Sequence, residues 1–167
     1  MTPRRPAAPQ TLRGRAIRLL AQREHSRAEL SRKLSTRALE TTEPAEDLET
    51  VLNQLEQCGL LSDARAAEAY VRSHASRFGG ARLAHDLRTR GIDTALIATS
   101  LAQEGIDDEL TRAMAVWRSK FGQAPRDARE WARQARFLQG RGFPSDVIRK
   151  LLKDIDHHPD ASGSLDD

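Results

Sequence analysis

Residues 27 to 38, RAELSRKLSTRA, decide how this chain folds, because their pattern comes back twice. It returns as ARLAHDLRTRG at 81 to 91 and as RQARFLQGRG at 133 to 142. Superposed, the three segments put Leu34, Leu87 and Leu138 at one position, Arg37, Arg90 and Arg141 at another, and Ala38, Gly91 and Gly142 at the close. The offsets of 53 and 51 residues mark stacked supersecondary units, each expected to be too small to bury its own apolar face. The chain is therefore expected to be all-α: an elongated, curved array of three tandem three-helix repeats sharing one continuous core.

Helical spacing extends this reading in both directions. Unit one is expected at 12–61, with a front helix over 12–24, a middle helix starting at a Ser26/Glu29 capping box, and a rear helix over 44–57. Unit two is expected at 62–106, its front helix capped by Ser62 or Asp63, its middle helix closed by Gly91, and its rear helix opened by Asp93. Unit three is expected at 107–155, with helices over 107–121, from Pro125 to Gln139, and from Pro144 or Ser145 onward. The ends, 1–11 and the acidic 156–167, read as disordered. No window alternates as a strand would.

Of 27 basic residues 23 are Arg, which favours bidentate contact with carboxylate or phosphate over diffuse charge. The net charge of +3 conceals segregation. Residues 1–37 carry ten bases against two acids, 38–70 one against eight, and 111–153 eleven against three. Charge thus alternates with the repeat, and units stacked in register would line it up in stripes. Cys58 is the only cysteine, so no internal disulfide can form; it reads as a small core residue, and a reducing, cytoplasmic setting is expected. No apolar run reaches the ~18 residues of a membrane span.

The chemistry of an enzyme is not expected. There is no phosphate-binding GxxxxGK[ST] loop and no nucleophile beside a base. Asp107, Asp108 and Glu109 stand at a helix start, where capping explains them better than a metal does. His25 reads as packing at the start of the middle helix, against Leu30; His157 and His158 make a poor metal pair. No cofactor is expected, and no apolar stripe asks for a dimer.

Two nucleic-acid readings compete with a protein partner. SRAELSRKL followed by VLNQLEQCGLL has the look of a winged helix-turn-helix DNA binder, but its second helix would bring Glu46, Asp47, Glu49 and Glu56 into the phosphate field. Base stacking on aromatics is disfavoured because Trp117, Trp131, Phe121, Phe137 and Phe143 cluster in unit three at expected core positions. Four blocks, AIRLLAQREHSRAELSRKL, LEQCGLLSDARAAEAYVRS, GGARLAHDLRTRGI and ARFLQGRGFPSDVIRKLL, resemble the RecX family of bacterial regulatory proteins over about 12–153. The resemblance implies a crescent that binds the RecA recombinase filament, lodges in its groove, and suppresses ATPase, strand exchange and growth. Regulation of homologous recombination, DNA repair and the SOS response would follow from it. One departure is Ala66, where that pattern usually has an aromatic; looser packing between units one and two, or compensation by Tyr70, is expected. The arginines expected to meet filament or DNA backbone are Arg32, Lys33 and Arg37 in unit one, Arg72, Arg77, Arg82, Arg88 and Arg90 in unit two, and Arg133, Arg136 and Arg141 in unit three. Pairing with acidic rear helices is the competing role for each.

Overall fold

A computed structural model describes residues 11–38, 47–105 and 108–157. Among them run α1 (Leu12–Gln22), α2 (Arg27–Ala38), α3 (Leu48–Gln57), α4 (Asp63–His74), α5 (Gly80–Thr89), α6 (Thr94–Gln103), α7 (Glu109–Lys120), α8 (Ala128–Gly140) and α9 (Ser145–His157), with no strand. Short polar side chains start most of them. Thr11, Asp47, Ser62, Asp93, Asp108 and Asp127 each accept from an amide two or three residues on, satisfying a donor that the first helical turn leaves open.

Several boundaries differ from expectation, among them the end of α1, at Gln22 rather than 24 because Arg23 is extended. The third middle helix begins at Ala128 rather than Pro125, because Asp127 is extended (φ −151°, ψ 173°) and caps the Glu130 amide at 2.8 Å while Glu130 reaches back to the Arg126 amide at 2.9 Å. α3 begins at Leu48 behind its cap Asp47; the expected start at 44 lies outside the described residues, as do both expected tails apart from Thr11, Asp156 and His157.

The expected continuous core is overturned. Three separate clusters form: Ala16, Leu30, Leu34, Val51, Leu52, Leu55 and Leu61; then Ala66 to Ile97; then Ala113 to Ile155. Each trio closes on itself, since Leu34, Leu87 and Leu138 are fully buried at the centre of their own units. Burying such a leucine contributes about 1.5–3 kcal/mol, so three helices of 10–13 residues suffice to enclose a cluster. What remains between units is polar side chain and backbone. Cys58 is also corrected: it follows the last turn of α3 and is exposed, not in the core. Trp131 likewise faces solvent at 38% exposure, whereas Trp117 and Phe143 are buried.

Candidate interaction surface and the joints between units

The middle helices meet end to end. The Arg90 carbonyl at the C-terminus of α5 accepts from Ser26 Oγ at 2.5 Å, at the start of α2. The Arg141 carbonyl at the C-terminus of α8 accepts from the Gly79 amide at 2.8 Å, at the start of α5. Ser26 and Gly79 are the same position of the repeat, and so are Arg90 and Arg141. The residues that follow, Gly91 and Gly142, adopt φ +77° and +86°. A Cβ on Gly91 would lie 2.5 Å from Ala28 Cβ, and one on Gly142 would lie 2.6 Å from the Arg82 amide. Glycine is therefore required twice over, for its left-handed turn and for the approach it permits.

A second link repeats at each joint. The first residue of α4, Asp63, accepts from the Arg27 amide at 2.6 Å, and the first residue of α7, Glu109, accepts from the Gly80 amide at 2.6 Å. Each front helix thus caps the middle helix of the preceding unit, placing a carboxylate on the positive end of its dipole. Burial pushes the Glu109 carboxyl up, against the lowering pull of the Gly80 amide and Arg112. Arg112 itself is enclosed; it donates to the carbonyls of Ala75 (2.9 Å) and Phe78 and lies 3.5 Å from Glu109.

Half of the capping box is made. Ser26 Oγ accepts from the Glu29 amide at 3.1 Å, but the Glu29 carboxylate turns to Arg23, to Lys33 at 3.7 Å and to Arg90 at 3.5 Å. Burial alone would raise the Glu29 carboxyl; the hydrogen bond and charge of Arg23, with the charge of Arg90, outweigh it and hold the group below its usual value. His25 is buried, with Nδ1 2.9 Å from the Arg23 carbonyl and Nε2 2.9 Å from Lys33 Nζ. That pairing selects the neutral ring with its proton on Nδ1, because the Arg23 carbonyl can only accept and the ammonium can only donate.

Several arginines expected to face a partner hold internal contacts. Arg32 donates across the joint to the Thr89 carbonyl at 3.1 Å. Arg90 lies 4.4 Å above the Tyr70 ring, and Arg141 lies 4.9 Å from Phe137 and 5.5 Å from Phe78 while donating to the Arg77 carbonyl at 3.4 Å. Arg82 pairs with Asp86 at 3.1 Å, Arg72 with Glu104 at 3.8 Å, and Arg133 sits 5.8 Å from Phe121. Arg77 is exposed beside the Phe78 ring. Arg88 and Arg136 project from the middle helices with no side-chain acceptor among the described residues. The side chain of Arg37 lies outside the described set.

Between the joints runs a stack along α4: Tyr70 on His74 at 4.1 Å and His74 on Phe78 at 6.2 Å, with Arg90 at one end and Arg141 at the other. Beside Tyr70 opens a cleft of about 400 Å³ whose wall includes Ala66, Ala69, Glu29, Arg90 and Ile92. Ala66 lines the cleft while remaining in the core of unit two, against which Tyr70 also packs. Asp63, Glu109 and Arg112 were not singled out as linking residues; the available signal was an acid opening the front helix of both later units.

α3 is a poor major-groove reader. Its Glu49 and Glu56 already bind Arg27, at 2.7 and 2.6 Å, and the segment after Leu61 is helix α4 rather than a wing. Among the described residues no group of His, Cys, Asp and Glu is placed to hold a metal, and no helix is long and apolar enough to cross a membrane.

Among the described residues, nine helices in three self-enclosed trios, coupled through capped and glycine-closed ends, define a tandem helical-repeat protein. Residues 62–101 match the RecX second three-helix domain and residues 107–152 the third. The regulatory protein RecX of Leptothrix cholodnii is 47% identical over 150 residues, covering 90% of this chain and 92% of that protein. The regulatory protein RecX of Chromobacterium violaceum is 42% identical, covering 85% and 89%. The crystal structure of RecX from Lactobacillus salivarius shares the fold with a TM-score of 0.67 at 21% identity, over 87% of this chain and 95% of that one. The chain belongs to the RecX family of regulatory proteins.

Proposed function

We propose that this protein binds the RecA–DNA filament and restrains its ATPase, strand exchange and growth. Membership of the RecX family over nearly the whole chain carries this reading. Its physical support is exposed positive charge: Arg88 and Arg136 have no side-chain acceptor among the described residues, and Arg77 is exposed as well. A filament repeats its surface at regular spacing, so contacts that are weak singly add up when one chain spans neighbouring protomers. A bridge of that kind favours one relative arrangement of protomers and opposes any step that requires another. Contact with the DNA backbone inside the filament would use the same arginines, and the protein acts as a monomer in the cytoplasm.

The reading is tested by titrating this protein into RecA turning over ATP on single-stranded DNA. Suppression well below one chain per protomer is expected; undiminished turnover at excess protein would overturn it. Arg88→Glu combined with Arg136→Glu should weaken filament binding by about tenfold and flatten its salt dependence, because exposed charges steer and anchor through screened fields. Arg90→Glu and Arg141→Glu are poorer probes, since both side chains support the joints.

A further inference from the structure

The two joints share one design but differ at several matched positions. Counted along the front helices, the fourth residue of α4 is Ala66 and the fourth residue of α7 is Arg112. Arg112 fills its joint, with its side chain only 15% exposed and its guanidinium on the Ala75 and Phe78 carbonyls of unit two. Ala66 ends at Cβ, and the space an equivalent side chain would occupy belongs to the cleft of about 400 Å³. The residue after the closing glycine shows the same contrast: Phe143 in one joint, 5.9 Å from Arg112, and the smaller Ile92 in the other, lining the cleft.

The remaining links differ in kind as well. In the joint of units two and three, backbone meets backbone from Gly79 to Arg141, and a Cβ on Gly79 would lie 2.3 Å from the Gly142 carbonyl oxygen. In the joint of units one and two the corresponding bond comes from a rotatable hydroxyl, Ser26 Oγ. Around it stand long side-chain pairs, the part-exposed Arg65 with Glu24 at 2.9 Å and the more enclosed Arg90 with Glu29 at 3.5 Å. A part-exposed pair such as Arg65 with Glu24 holds position weakly, and an open cleft forfeits the dispersion contacts that resist bending.

We infer that the chain bends at one place. Unit one swings on the cleft beside Ala66, while units two and three move as a single body. The inference holds whatever polymer the protein binds, and it makes the reach of unit one adjustable.

Distances between paired spin labels test it in the free, full-length chain. Cys58, native and exposed on unit one, with His85→Cys on unit two reports the first joint. His85→Cys with Lys150→Cys in a Cys58→Ser background reports the second. The first pair should give the broader distribution, and Ala66→Leu or Ala66→Phe should narrow it toward the width of the second. Arg112→Ala should broaden the second pair and leave the first unchanged. Equal widths in the unmodified joints would overturn the inference without need of any filling variant. So would a first distribution that stays broad in Ala66→Leu or Ala66→Phe chains retaining full helical content.

Discussion

Gly142 and Gly59 both hold positive φ, yet only one lies against another unit. Nothing stands within 4 Å of a Cβ on Gly59, so Gly59→Ala should cost about 1 kcal/mol, the strain of the left-handed turn alone. Gly142→Ala adds a clash with Arg82 backbone and should cost about 2–4 kcal/mol, read from the urea midpoint. Equal losses would mean that the joint yields freely. His25 offers a second test at this scale. Burial depresses its pKa below 6.5, so below that pH the unfolded chain takes up a proton that the native ring resists. Stability is then full above about pH 6.5 and falls as pH drops toward the native value, and His25→Gln should reduce that part of the slope. At this scale a leucine's place is legible in sequence and an arginine's is less so. Leu34, Leu87 and Leu138 can only seek the interior. For Arg90 and Arg141 the sequence leaves open a partner contact or an internal pairing with acids; a flat guanidinium also stacks on rings, and ring positions are not legible from helical spacing.

Helices were legible wherever their caps are local. Ser62, Asp93 and Asp108 stand immediately before their helices and satisfy amides within the same turn. Capping from a distance left no comparable trace, since Asp63 and Glu109 read as ordinary first-turn acids while each serves a helix of another unit. Glu109→Ala should strip the acceptor from the Gly80 amide and leave Arg112 without its carboxylate. A loss of about 1–3 kcal/mol is expected, with faster hydrogen exchange at the start of α5. A change confined to α7 would show that the carboxylate serves only its own helix.

Across the molecule, three enclosed clusters tied by polar joints should behave as coupled units rather than as one cooperative block. Unit two, held at both ends, should show the slowest core exchange, and α2, beyond the looser joint, should exchange at lower free energy than α5. Periodicity revealed the number of units but not their self-sufficiency, because a leucine looks the same in sequence whether its cluster is closed or shared. The head-to-tail contact of the middle helices also gives the column a socket and a plug. At the far socket, α8 is stoppered by its own Asp127, with Glu130 and Arg126 locked at 2.7 Å across the opening. At the far plug, α2 runs on through Ala38 without the glycine that lets a terminus nestle into a neighbour. Neither outer end of the column therefore repeats the contact that its inner ends make with one another.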